Sequence, residues 1–297
     1  MMVDLTQLLQ ALVNGIGVGL VYGLVGIGFC VIYNASGIVN FAQGVFVMLG
    51  GMICHTAMTR LGLPTLVAAI VTVPIVALVG MLIEIFVVRP MWNRGAALFA
   101  IILATLATQI AIERVTLLSL GDQPRTFDEF TPGGPLKLGS VAIGYQLFWI
   151  LGCGALMVGL LYLFFTRTTA GRALRACSQN REAAALLGIP VGRMLALSFA
   201  LSAALGAVAG ILITPMQVTT YNIGTPFGVN GFIAAIIGGF GSAAGALGGG
   251  ILLGVLQATA IVLLGAGFKN VAALSVLLLV LFIFPSGIFA GFKGKPH

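Results

Sequence analysis

Few side chains in this sequence could do chemistry, and their placement limits what that chemistry is. Glu84 stands five residues before Arg89, and Glu113 is followed directly by Arg114, in both cases at the edge of an apolar run. Ionisable groups in such runs suggest either a proton relay or paired charges. Near the ends of a run long side chains reach the interface, and each acid has an arginine close by, so structural pairing is the favoured reading. His55 is the lone histidine within an apolar run and reads as a helix–helix hydrogen-bonding group; His297 is terminal. Cys30, Cys54, Cys153 and Cys177 lie far apart with no C-x-x-C pair, so neither a disulfide framework nor a zinc site is indicated. No aspartate falls within an apolar run and no serine has a plausible histidine base, which disfavours intramembrane aspartyl and serine proteases. The only Gly-Lys pair, Gly294-Lys295, is followed by Pro296, so the phosphate-cradling G-x-x-x-x-G-K-[ST] loop is absent. No catalytic residue, metal ligand or bound cofactor is expected.

Uncharged polar residues are the remaining candidates. Gly37–Gly44 and Gly238–Gly245 interrupt long apolar runs with flexible or polar positions. Irregular backbone at membrane depth is tolerated only where protein buries it or a water-filled cavity adjoins it. Asn34, Asn40, Gln43 and Ser242 are therefore candidates for a polar translocation pathway, with plain turn chemistry as the equal alternative.

The elements that must position these residues follow from composition. The chain has 297 residues, 60% hydrophobic and 7% charged, with mean hydropathy +1.15. Soluble domains carry about 25% charged residues, so a water-soluble enzyme is excluded. An all-α, polytopic membrane bundle is expected. The 42 glycines, with spacings such as Gly15–Gly19–Gly23 and Gly241–Gly245–Gly249, suit helices packed backbone to backbone. The opening residues lack a basic n-region, so no cleaved signal peptide is expected.

A charged residue at mid-bilayer costs about 2.5–3.5 kcal/mol, so charge-free runs count the spans. Leu5–Thr59 has room for two, Met194–Phe268 for three, and Leu61–Ile83, Gly95–Ile112, Leu138–Thr166 and Asn270–Phe292 for one each. The expectation is about nine spans. Breaks fall at Asn34–Gly37, from Thr214-Pro215 to Pro226, and at Gly241-Ser242.

The net charge of +7 could suggest nucleic acid, but its distribution follows the positive-inside rule instead. An alternating path collects Arg89, Arg94, Arg167, Arg172, Arg175, Arg181, Arg193, Lys293 and Lys295 on one side, with Glu182 the only clear acid there. That side is expected to be cytoplasmic, with the amino terminus outside and the carboxyl terminus inside. On the outer side, residues 121–145 read as an ordered loop too short for a domain. On the inner side, Ala170–Leu187 has helix-forming composition and amphipathic spacing, and Gly188-Ile189-Pro190 ends it. Crossing a membrane does not require that segment.

The motif GIVNFAQGVFVMLGG at Gly37–Gly51 resembles the signature of permease subunits of branched-chain amino acid ABC importers. The segment GRALRACSQNREAAALLGIP at Gly171–Pro190 is similar to that family's cytoplasmic coupling segment. Phe199–Leu212, Gly231–Gly254 and Phe284–Phe289 match in order, so the likeness covers nearly the whole chain. It implies a single transmembrane permease domain in the bacterial inner membrane, with coupling segment 167–192 and periplasmic loop 121–145. It implies as partners a second related permease, two cytoplasmic ATPase subunits that bind ATP and Mg, and a periplasmic solute-binding protein. It also implies that Gly171, Arg172, Arg175, Ala184, Gly188 and Pro190 serve coupling to the ATPase. Family relatives import urea, short amides or aromatic acids as well as branched-chain amino acids. From other classes, a stand-alone channel or secondary carrier and a scaffold subunit without a path are the competing readings.

Overall fold

The computed structural model describes residues 5–139 and 141–289. Asp4, Lys293, Gly294, Lys295, Pro296 and His297, used in the charge and motif arguments, lie outside the described residues.

The apolar runs all become helices. They are α1 (Leu5–Ser36), α2 (Gln43–Leu61), α3 (Thr65–Ile83), α5 (Leu98–Leu120), α6 (Tyr145–Arg167), α9 (Val191–Ile213), α10 (Gly224–Gly238), α11 (Ala243–Leu264) and α12 (Lys269–Ile283). α3 continues through a π-helical turn, Glu84–Val88, into α4 (Arg89–Asn93). Eight helical stretches are long and apolar enough to cross a membrane. The ninth, α10, has only 15 residues, against the ~20 that a full crossing needs. The breaks visible in the sequence bracket it: irregular backbone from Thr214 to Ile223 precedes it, and Gly239 at φ +99° ends it.

α1 is the central post. It packs against α11, α9, α10 and α6, and its glycines let α11 lie directly on its backbone. A Cβ on Gly19 would stand 2.6 Å from the carbonyl oxygen of Gly250, and one on Gly250 would strike Gly23. Without a hydrophobic driving force between helices in lipid, such close packing is what holds them together. α2 and α3 pack on α9, while α5, α6 and α12 lie outermost, with exposed Leu118, Leu160 and Phe282 suited to lipid.

The loop after α5 carries a short hairpin of β1 (Leu136–Leu138) and β2 (Val141–Ile143). Arg125 clamps it. Its backbone pairs in both directions with Thr219, at 2.8 and 2.7 Å, and its guanidinium reaches Thr56 at 3.1 Å and the carbonyl of Leu120.

The segment after α6 departs from expectation. The single helix over 170–187 is two helices, α7 (Thr169–Gln179) and α8 (Arg181–Leu186), broken at Asn180. Asn180 takes an extended conformation and accepts from the Ala183 N–H at 3.0 Å, starting a new helix. A side-chain cap of this kind competes successfully with helix continuation.

Candidate functional site

The four candidate pathway residues do not form one line. Asn34 and Ser242 lie together at the end of the bundle that carries α7 and α8. Asn34 donates to the Gly241 carbonyl at 2.8 Å, and Ser242 caps α11 by accepting from Gly245 at 3.2 Å. Both therefore do turn chemistry. Beside them a cavity of about 180 Å³ reaches Leu174, Arg175 and Ser178 of α7. Asn40 and Gln43 lie deeper. Asn40 Oδ1 accepts from the Ala42 N–H at 3.1 Å, while its buried Nδ2 has no partner among the described residues. Gln43 is fully buried and exchanges bonds with Ser202: its Nε2 donates to the Ser202 carbonyl at 3.2 Å and its Oε1 accepts the Ser202 hydroxyl at 2.5 Å. It thereby fastens the start of α2 to α9.

A polar seam that the sequence reading passed over runs along α5. Thr105, Gln109, Glu113 and Thr116 are all buried at helical spacing on a helix whose other faces are apolar and exposed. Gln109 Nε2 donates to Glu113 Oε1 at 3.1 Å and to Thr225 Oγ1 at 2.7 Å, and the Thr225 hydroxyl donates to the same Glu113 oxygen at 2.9 Å. Thr105 accepts from the Phe41 N–H at 3.1 Å. Gln257 Nε2 donates to Asn230 Oδ1 at 2.7 Å, extending polar contacts from α10 to α11. The expected pairing of Glu113 with Arg114 does not occur. Adjacent helical residues diverge by about 100°, so Arg114 is exposed while Glu113 turns inward. Glu113 has no cationic partner among the described residues.

Glu84 behaves as expected. Arg89 grips it with Nη2 at 2.6 Å and Nε at 3.2 Å, and the same Nη2 donates to the Gly192 carbonyl at 2.9 Å. The π-helical turn over 84–88 brings residues five apart onto one face.

In the 168–190 segment, Thr168 caps α7 by accepting from Gly171 at 2.9 Å, and Gly171 abuts the backbone of Phe164, where a Cβ has no room. Arg175 donates to the Phe165 carbonyl, and Arg172 is exposed. Leu174, Cys177 and Ala184 are buried, and Leu174 clusters with Ala35 and Leu195. Burial pushes the Cys177 thiol above its ordinary range. Gly188, at φ +80°, lets the chain turn back, with the Ile189 N–H bonded to the Ala184 carbonyl at 3.0 Å, and Pro190 leads into α9. Ala184, expected on a ridge facing a partner, is instead buried against the rest of the chain. The apolar surface left facing outward is Leu186 and Leu187, 90% and 80% exposed.

The family described as "Branched-chain amino acid transport system / permease component" matches residues 11–285. The chain belongs to this family. It is 34% identical to the high-affinity branched-chain amino acid transport system permease protein BraD of Pseudomonas aeruginosa, over 100% of this chain and 99% of that one. It is 33% identical to the corresponding protein LivH of Salmonella typhimurium, over 97% and 96%. Its fold is similar to that of PsaBC from Streptococcus pneumoniae, solved in complex with a Fab, with TM-score 0.51, 18% identity and coverage of 96% and 95%. The chain is thus a multi-pass membrane permease, a transport component, and the 168–190 segment and the α5 seam are features of a permease.

Proposed function

We propose that this permease moves branched-chain amino acids inward across the bacterial inner membrane as one subunit of an ATP-driven importer. Its partners are a second related permease, two cytoplasmic ATPase subunits that carry ATP and Mg, and a periplasmic solute-binding protein. The chain takes nine passes, counting α10, with the amino terminus and the 121–145 loop outside and the 168–190 segment inside. The observation that carries the reading is that segment's construction. It is fastened to α6, α1 and α9 by Gly171 and Leu174, with Ala184 buried, yet presents Leu186 and Leu187 to the exterior. A piece rigidly joined to the spans and apolar on its outer side suits an ATPase groove whose closure it passes to the spans. Arg172 and Arg175 flank it, and Gly188 and Pro190 fix its exit into α9.

The polar contribution to the pathway is assigned to the α5 seam with Thr225, joined by Asn40 where α1 and α2 are interrupted. Asn34, Gln43 and Ser242 hold turns and helix junctions around it.

Uptake of labelled leucine by cells expressing the complete set of subunits tests this reading. Uptake is expected to persist when the proton gradient is collapsed at constant ATP, and to stop when ATP is depleted. Loss of uptake with the gradient at constant ATP would instead support a secondary carrier, with Glu113 as its proton site.

A further inference from the structure

A second cavity, of about 320 Å³, opens at the α7–α8 end of the bundle, separate from the α5 seam. That volume falls in the ~300–1,000 Å³ range of small-molecule sites. Five parts of the chain meet there: the end of α1 with the following break, the π-helical turn, α4, the first residue of α8 and the start of α9.

Its charges are unevenly matched. Glu84, fully buried, is neutralised by Arg89. Arg181 is different: its guanidinium lies 4.6 Å above the Trp92 ring and, among the described residues, makes no hydrogen bond and no ion pair. Contact with the ring face holds the guanidinium in place, and its N–H donors, unengaged among the described residues, can recognise a carboxylate with two parallel bonds. Arg89 directs Nε and Nη2 to Glu84 and Gly192. The cavity therefore carries one uncompensated positive charge. Apart from Ser36 and Asn93, the rest of its wall is largely apolar, with Val88, Leu195 and Phe199 forming one part of it.

We infer that this cavity binds a small aliphatic carboxylate, the carboxylate on Arg181 and the hydrocarbon side chain against Val88, Leu195 and Phe199. The inference rests on the reading of the solute as a branched-chain amino acid and gives that solute a station on the cytoplasmic side. A longer or more polar solute would leave the apolar part of the wall unmatched, and an amine without a carboxylate would offer Arg181 no acceptor, while Glu84 is already engaged by Arg89.

The test uses the importer complex purified through a tag on this chain and placed in nanodiscs, so that both faces are accessible, without the soluble binding protein. Trp92 is one of two tryptophans in the chain, so fluorescence that differs between the unmodified complex and Trp92→Phe isolates the ring beneath Arg181. L-Leucine and 4-methyl-2-oxopentanoate are expected to change that component saturably, and 3-methylbutylamine, which lacks the carboxylate, is not. Arg181→Gln is expected to weaken leucine binding at least tenfold and Arg181→Lys less, because the point charge survives without the fork. A silent Trp92 in a complex that imports leucine normally overturns the site alone. Equal response to the amine, unchanged affinity in Arg181→Gln, or response to the oxo acid without leucine overturns it also. The ligand series on the unmodified complex decides the matter even if Arg181→Gln does not fold. Failure of cells to import leucine while the Trp92 response persists counts against the proposed function and leaves the cavity site standing.

Discussion

Thr225, at the start of α10, donates its hydroxyl to Oε1 of Glu113 on α5 across 2.9 Å, tying an outer helix to the inner bundle by its acid. Glu113 is buried, and both groups that bond to it are neutral. A carboxylate so placed is costly in a membrane protein and marks function more often than packing. Glu113→Gln preserves size and can still accept from Thr225, so chain abundance and assembly are expected to stay normal. Leucine uptake is expected to fall about tenfold or more, a loss of ~1.4 kcal/mol or more in the transport barrier. Initial uptake rates normalised to membrane-inserted protein check this, and a normal rate would make the seam structural. Thr225→Val leaves the Gln109–Glu113 pair a partner short, an expected stability cost of about 1–3 kcal/mol, read as a lower melting temperature.

Sidedness is checked by cysteine labelling. Native Cys177 is buried, with its thiol held above the usual range by burial, so it is expected to stay unlabelled in the folded protein. Gln179→Cys and Asp128→Cys place thiols at exposed positions on α7 and on the 121–145 loop. A membrane-impermeant maleimide is expected to reach residue 179 only from the cytoplasm and residue 128 only from outside. Reaction of both from one face would overturn the nine-pass path.

That the charge-free runs form long apolar helices was legible in the sequence, because charge-free length is a local property; the Gly15–Gly19–Gly23 spacing marked a close-packing face but not α11 as its partner. The breaks at Thr214–Pro226 and Gly241-Ser242 marked the neighbourhood of α10 but not its start, since the helix begins at Gly224, inside the first break. The break at Asn180 had its own signal, a capping residue with Glu182 in the next turn, but the Ala, Leu and Arg content around it reads as continuous helix. Adjacency in sequence misled at Glu113-Arg114, since neighbours on a helix point apart. The Thr105–Gln109–Glu113 repeat at four-residue spacing was visible, whereas its partner Thr225 is 112 residues away from Glu113 and no local pattern joins them. The Arg181–Trp92 stack is equally non-local.

The α1–α11 interface gives a packing prediction. Gly250→Val sets a branched side chain against the backbone of Gly23 and Gly19, which cannot yield as a flexible side chain would. Overpacking costs about 1–3 kcal/mol where neighbours adjust, and here the upper end or beyond is expected. The variant should lose its monodisperse size-exclusion peak in detergent. Gly152→Ala, with nothing within 4 Å of the added carbon, should keep it. Equal behaviour of the two would show that close backbone approach does not hold these helices.

The proposed coupling role of residues 168–190 separates two kinds of defect. Leu186 and Leu187 face outward and touch little of this chain, so Leu186→Glu with Leu187→Glu should leave insertion, melting temperature and pairing with the second permease unchanged. The same change removes the apolar surface proposed to meet the ATPase, so recovery of ATPase subunits with the tagged permease should drop about tenfold or more and ATP-driven uptake with it, a loss of ~1.4 kcal/mol or more in association. Ala184 is buried at 2% exposure, and Ala184→Glu drives an unpaired carboxylate beneath the segment. Its expected defect is loss of folded protein, with ATPase recovery falling only in proportion. Gly188→Val belongs to the same class, since a branched residue at φ +80° is strained by about 1–2 kcal/mol. If the segment were an ordinary basic loop that merely sets orientation, the double leucine variant would import solute normally with full ATPase recovery. That result, obtained with wild-type abundance, would remove the coupling role from residues 168–190.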